Sequence, residues 1–207
     1  MRTTRSVDLP VLYFGTPVAL ITTVNPDGSS NMSPISSVWA LGTRYMLGLG
    51  AEGQAAANIE RVRDLVINLP SADLVHAVEA IAPTTGRSPV PAEKVPAYRH
   101  EPDKWSLGGF TPVPSDAVIP FRIAECPVQI EARVAQIIPI DDGDALAVEA
   151  EVLQVHVHED ILKAHGPDRI DTDKWDPLSY AFRHYFAQGP RVGSNFRAPL
   201  LDDPVVA

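Results

Sequence analysis

Apolar and polar positions along the chain divide it into short elements of mostly two-residue period. Pro17 to Val24 is β-branched and apolar, Asn25-Pro26-Asp27-Gly28 supplies turn chemistry, and Ser29 to Val38 resumes an extended but polar-rich course, which predicts an opening hairpin. Arg44 to Gly50 reads as a third strand, Ala55 to Arg63 as a short helix, Asp64 to Leu69 as a fourth strand, and Ala72 to Ile81 as a second helix. Val128, Ile130, Ala132 and Val134 alternate with polar neighbours, the pattern of a strand buried on one face. Leu146, Val148, Ala150 and Val152 do the same, but Leu153, Val155 and Val157 continue on the opposite parity. That phase slip predicts a β-bulge near Val152 and Leu153. About six strands with only short helices point to a small, mainly β barrel. After the last strand, Leu178, Ala181, Phe182 and Tyr185 share one face at helical spacing, so a helix is expected from about Trp175, its aromatic face available to the core or to a second subunit.

Between the fourth strand and Val128 the pattern lapses. Residues 83–120 carry 8 of the 20 prolines and show little periodicity, which predicts an ordered excursion or lid rather than regular structure. A chain of 207 residues, 45% apolar and 21% charged, is expected to fold as one domain bearing that excursion and a C-terminal helix and tail over 175–207.

Charge narrows the partners. Seventeen Lys and Arg against 26 Asp and Glu give a net charge of −9, a field that repels phosphate backbones and anionic lipid, so neither nucleic acid nor membrane is expected. Cys126 is alone, which excludes an intramolecular disulfide and a cysteine zinc site and suggests a buried structural thiol. The first residues lack an apolar signal core and no run approaches the roughly 20 residues of a membrane span, so a cytoplasmic location is the default expectation.

Gly48-Leu-Gly50-Ala-Glu-Gly53 matches the Gly-x-Gly-x-x-Gly dinucleotide pattern, but a hairpin precedes it and the repeated strand–helix units of a doubly wound sheet are missing. What survives is the physics of a helix N-terminus, whose unpaired N–H groups and partial positive charge suit one phosphate. Asn31-Met-Ser33-Pro34-Ile-Ser36-Ser37 puts an amide and three hydroxyls on one strand, a density that suits a phosphate or a ring edge as well as an exposed hairpin strand. His156 and His158 share a strand face at a spacing metals can use, yet no third ligand stands near them in sequence, so solvated histidines and no metal are expected; His76, His165 and His184 read as surface or interface residues.

Four stretches in this order and spacing carry a resemblance: PVALITTVNPDGSSNMSPISSVWAL, GQAAANIERVRDLVINLP, GGFTPVPSDAVIPFRIAECPVQIEARV, and KWDPLSYAFRHYFAQG with VGSNF. Together, from about Pro17 to Phe196, the chain resembles the flavin-reductase-like, FMN-binding split-barrel family. The resemblance implies a six-stranded Greek-key barrel, FMN near a homodimer interface, and hydride exchange with NADH or NADPH. Its Asn-x-x-Pro-x-Ser pattern falls on Asn31, Pro34 and Ser36, with Ser33 and Ser37 beside them; its Asn-Ile pair falls on Asn58 and Ile59.

One position departs from the family, since many relatives carry Thr where this chain has Ala55. A lost hydroxyl contact of about 1 kcal/mol implies FMN held roughly tenfold more loosely, unless Gln54 substitutes. Leu49 and Gly50 are expected to present backbone to the flavin ring, and His100, Trp105 and Phe110 to shape a pocket over it or simply to pack the excursion. No side chain need act as nucleophile or base, because the cofactor carries the redox chemistry. The function implied is an FMN-dependent reductase passing electrons to free flavin, oxygen or a partner oxygenase; the rivals are a non-enzymatic flavin electron carrier and a barrel that has lost its flavin and serves as a scaffold.

Overall fold

A computed structural model describes residues 2–165 and 168–197. Its main strands are β1 (Ala19–Val24), β2 (Ser30–Ile35), β3 (Val38–Leu41), β4 (Arg44–Gly50), β5 (Asp64–Leu69), β6 (Val128–Ile140) and β7 (Ala145–Val157). A hairpin of β8 (Ser179–Ala181) and β9 (His184–Phe186) follows. The helices are α1 (Gln54–Arg61), α2 (Val75–Ile81) and α3 (Lys104–Gly108).

Seven strands pair antiparallel in the order β2–β1–β5–β6–β7–β4–β3. The two edge strands, β2 and β3, are consecutive in the chain, with only Ser36 and Ser37 between them. So short a link brings the ends of a seven-stranded sheet together, and the sheet curls into a split barrel. The expected single strand over 29–38 is therefore two, broken at the serine pair, and this accounts for seven paired strands against six expected.

Both faces of the middle strands are buried. Ala19 and Ile21 of β1 enter the barrel core with Leu47, Ile59, Leu65, Ile67 and Val148. Leu20, between them, points the other way, into a second core with Met32, Val78, Ile81, Phe110, Ile123 and Cys126. Burial on both faces explains why β1 reads as a continuous apolar run rather than an alternation. The thiol of Cys126 is wholly buried, and burial pushes its pKa up, in keeping with a structural role.

The second core is where the proline-rich excursion lands. It contains α3 and short extended pieces, more structure than the sequence suggested. Buried Asn68 pins its return, donating to Leu20 O at 2.9 Å and accepting from Ile123 N at 2.9 Å. Glu131, also wholly buried, accepts from Asp116 N and Ala117 N and meets His156 Nε2 at 2.8 Å.

The bulge lies where the phase slip placed it. Glu131 pairs with Gln154 and Ala132 with Val152, leaving Leu153 over; a second irregularity, between Val134 and Gln136, had no sequence signal. The C-terminal helix is not formed. Residues 179–186 make the β8–β9 hairpin instead, turning through Phe182 and Arg183 at φ of 47° and 66°. Aromatic side chains at Tyr180, Phe182, Tyr185 and Phe186 suit a pleated pair, and over so short a run helical and extended spacings cannot be told apart.

Candidate functional site

The barrel opens between β2, β4 and the start of α1. Gly53 caps α1 with no side chain, and no acidic residue occupies the first turn, so its leading N–H groups keep their partial positive charge. Gln54, Ala55 and Ala56 of that turn, with Ser33 and Pro34 of β2 and Leu49 and Gly50 of β4, line a cavity of about 250 Å³. A second cavity of about 400 Å³ shares Pro34 and Gly50 with the first and continues past Ser36 and Ser37. Most of the residues expected to hold cofactor therefore meet in one continuous opening.

Two lysines from the excursion complete its inner end. Lys104 is 4% exposed, and its Nζ donates to Met32 O at 2.8 Å. Burial, then the nearby Lys94 charge, pushes its pKa down to about 8. Lys94 is shifted down as well, chiefly by burial, and a Cβ placed on Gly53 would lie 3.9 Å from its Nζ. Neither lysine is ion-paired to a carboxylate among the described residues. Glu52 and Glu93 act on Lys94, and Glu101 on Lys104, only from beyond ion-pair distance, so two cations beside one uncapped helix end offer the donors an anion needs.

Neither lysine was singled out in the sequence, where each follows an acidic residue, Glu93 or Asp103, in a proline-rich stretch some 60 to 70 residues from β2. A signal did exist. Asp103 accepts from Ser106 N at 3.0 Å, an N-cap legible as Asp-x-x-Ser, and it starts α3 with Lys104 at the first position.

Two amides serve the frame of the site. Asn31 is 5% exposed, and its Nδ2 donates to Ser33 Oγ at 3.1 Å, orienting that hydroxyl. Asn58 lies outside the cavity lining. It donates to Thr23 Oγ1 and Asn25 Oδ1 and accepts from Gln54 Nε2 at 2.9 Å, tying α1 to the β1–β2 turn. Gln54 lines the cavity, but its amide nitrogen is thus engaged; the lysines are the better counterweight to Ala55. Gly86 closes the wall, and a Cβ there would come within 2.6 Å of Asn31 Oδ1. Gly50 is the opposite case, since a Cβ there meets nothing within 4 Å, leaving bare backbone toward the opening.

The three residues expected to shape a pocket over the ring lie elsewhere. Phe110 is buried in the second core, Trp105 packs against it and donates Nε1 to Ser30 O at 3.0 Å, and His100 is exposed with Nδ1 3.1 Å from Arg87 O. They fix the excursion. Tyr13, Tyr98, Tyr180 and Tyr185 line the opening instead.

His156 and His158 are not solvated as expected: His156 meets Glu131, and His158 Nε2 lies 2.8 Å from Ala124 O. Asp116, Glu131 and His156 do bring ligand atoms within 4.8 Å of one another. Yet the Glu131 oxygens already accept from two backbone N–H groups, with Arg122 Nε at 3.4 Å, so the group is an anchor for the excursion. Among the described residues, no helix is long and apolar enough to cross a membrane.

A curled antiparallel sheet with an uncapped helix N-terminus at its open seam defines a split-barrel fold. The model of the flavin reductase like domain matches residues 11–189, and the chain belongs to that family. It is 42% identical over 190 residues to the uncharacterized protein YdfE of Bacillus subtilis (strain 168), covering 91% of each chain. Its fold is similar to the flavoredoxin of Desulfovibrio vulgaris (Miyazaki F), with a TM-score of 0.78 at 22% identity over 95% of this chain and 100% of that one. It is also similar to nitrilotriacetate monooxygenase component B from Bacillus cereus, with a TM-score of 0.74 at 17% identity over 94% and 100%. Family membership gives the chain a flavin-related redox function.

Proposed function

We propose that this protein is an FMN-dependent oxidoreductase of the flavin-reductase type, using NADH or NADPH as donor and passing electrons to free flavin, oxygen or a partner oxygenase. The observation that carries this reading is the continuous opening with a cationic inner end, made by Lys94, Lys104 and the α1 N-terminus, and an uncharged outer part. A phosphate-tailed planar ring system has that polarity. Bound there, FMN supplies two-electron chemistry at its ring, and the protein supplies position.

The residues fit that group. Lys94, Lys104 and the first N–H groups of α1 hold its phosphate, while Ser33, oriented by Asn31, and the hydroxyls of Ser36 and Ser37 serve the polar edge of the ring. Leu49 and Gly50 offer backbone, and the missing Cβ of Gly50 lets the ring approach. The same reading includes a homodimer. A partner oxygenase accords with the monooxygenase component among the similar structures.

The test is the visible spectrum of the purified protein with and without added FMN, followed by anaerobic NADH and NADPH. Flavin bands that bleach with one nucleotide are the expected result. Bound flavin that neither nucleotide bleaches makes the protein an electron carrier, and the absence of binding at saturating FMN overturns the proposal.

A further inference from the structure

Four of the chain's five tyrosines line the outer cavity. They come from three separate parts of the chain. Tyr13 belongs to the N-terminal segment, Tyr98 to the excursion, and Tyr180 and Tyr185 to opposite strands of the C-terminal hairpin. Tyr180 is the hub, with its ring centroid 5.6 Å from Tyr13 and 5.6 Å from Tyr185, both edge-to-face. Tyr180 and Tyr185 pack against the second core, but core packing does not account for Tyr13 and Tyr98, which keep more than a third of their surface exposed.

Their hydroxyls divide into two sets. Tyr13 Oη is 2.7 Å from Ser37 Oγ, and Tyr185 Oη donates to Glu79 Oε2 at 3.0 Å. The hydroxyls of Tyr98, Tyr180 and Ser36 make no hydrogen bond among the described residues. The lining contains no Lys, Arg, Asp or Glu, in contrast to the inner cavity with its two lysines. A ligand here meets phenol rings and unspent O–H donors, while the Lys94 ammonium, 5.7 Å from the Tyr98 ring centroid, sits against that ring and lines the inner cavity.

The geometry points to an uncharged quinone as the electron acceptor of this site. An electron-poor, planar ring complements the phenol rings, and its two carbonyl oxygens accept from the hydroxyls of Tyr98 and Tyr180. No cationic side chain lines this cavity, the Lys94 charge being engaged with the Tyr98 ring and the inner cavity, and Glu79 stands behind Tyr185. The inference rests on the flavin reading, which puts the redox ring at the shared wall of Pro34 and Gly50. The step balances: reduced flavin and quinone give oxidised flavin and hydroquinone, two electrons and two protons passing from one to the other, each quinone C=O becoming C–OH. The reduced flavin is regenerated by the nicotinamide nucleotide.

The test uses FMN-loaded protein, with flavin content of every variant measured first by absorbance. Menadione titrated into the oxidised holoprotein is expected to perturb the flavin spectrum saturably. The double variant Tyr98→Phe with Tyr180→Phe, which keeps the rings and removes two donors, is expected to weaken that binding by about tenfold. Photoreduced holoprotein should be reoxidised by menadione at a rate that saturates, with the same displacement in the variant. Unsaturable reoxidation, an unchanged variant, or equal affinity for a sulfonated naphthoquinone or for methyl viologen overturns the inference. If FMN does not bind, the function proposed above fails by itself; menadione is then titrated against the tyrosine fluorescence of the apoprotein, where the absence of saturable quenching overturns the quinone site.

Discussion

Lys104 holds its charge in a place that disfavours it. Burial and Lys94 bring its pKa from 10.5 to about 8, so between those values the unfolded chain binds a proton that the native protein does not. This group therefore adds to stability as pH rises through that window, while the cation itself is lost from the cavity above about pH 8. Flavin binding should run the other way. Affinity is expected to hold below about pH 8 and to fall above it as Lys104 deprotonates, and Lys104→Met should weaken FMN by roughly 10- to 100-fold while flattening the pH profile. Fluorescence titration across pH in both proteins checks this; a slope that persists in the variant assigns the titration to another group. Asn31 and the serines stood out in the sequence because one short stretch, Asn31 to Ser37, carries them all. The lysines were not, because a charge 70 residues away becomes a neighbour only once the excursion has folded onto β2.

At the scale of elements, the C-terminal hairpin allows a test in which the sign decides. Phe182 and Arg183 occupy the left-handed region, which costs a residue with a Cβ about 1–2 kcal/mol. Glycine relieves that cost but loses more chain entropy on folding, so Arg183→Gly should stabilise the protein by roughly 0.5–1 kcal/mol, leaving the Phe14–Phe182 ring contact in place. In a helix the same change destabilises by about 1 kcal/mol. Thermal or denaturant melts thus separate the two structures directly.

The elements that the sequence declared share a property the hairpin lacks. β6 and β7 run for 13 residues each, long enough for alternation and even its phase slip to be unambiguous. β1, β5 and α1 are bounded by Asn-Pro-Asp-Gly, by proline, or by glycine. β8 and β9 have three residues apiece, and what selects strand over helix is tertiary: Thr16 pairs with Tyr180, and Tyr13 and Phe14 pack on the hairpin from a segment more than 160 residues earlier.

For the whole molecule the proposed homodimer needs a surface on which two copies meet. An aromatic helix facing either the core or a second subunit was expected, and the hairpin that replaces it leaves the edge strand β3 as the stronger candidate. Its Trp39 is 56% exposed and its Leu41 73% exposed, on a sheet edge to which no further strand pairs among the described residues. Proteins guard such edges with charge, proline or a partner, and β3 carries neither charge nor proline. At −9 per chain, two copies repel, so an interface that holds must be apolar and must strengthen as salt screens the repulsion. Light scattering is expected to return a dimer of the 22.4 kDa chain, more complete at high than at low salt. Trp39→Lys with Leu41→Lys should give a monomer at either salt. Trp39 is two residues from Ser37, which lines the outer cavity, so the same variant is expected to bind FMN more weakly if the partner borders the site. A wild-type monomer at both salts removes the dimer; a dimer that survives the double substitution moves the interface off β3, and unchanged FMN affinity in the monomer confines the site to one chain.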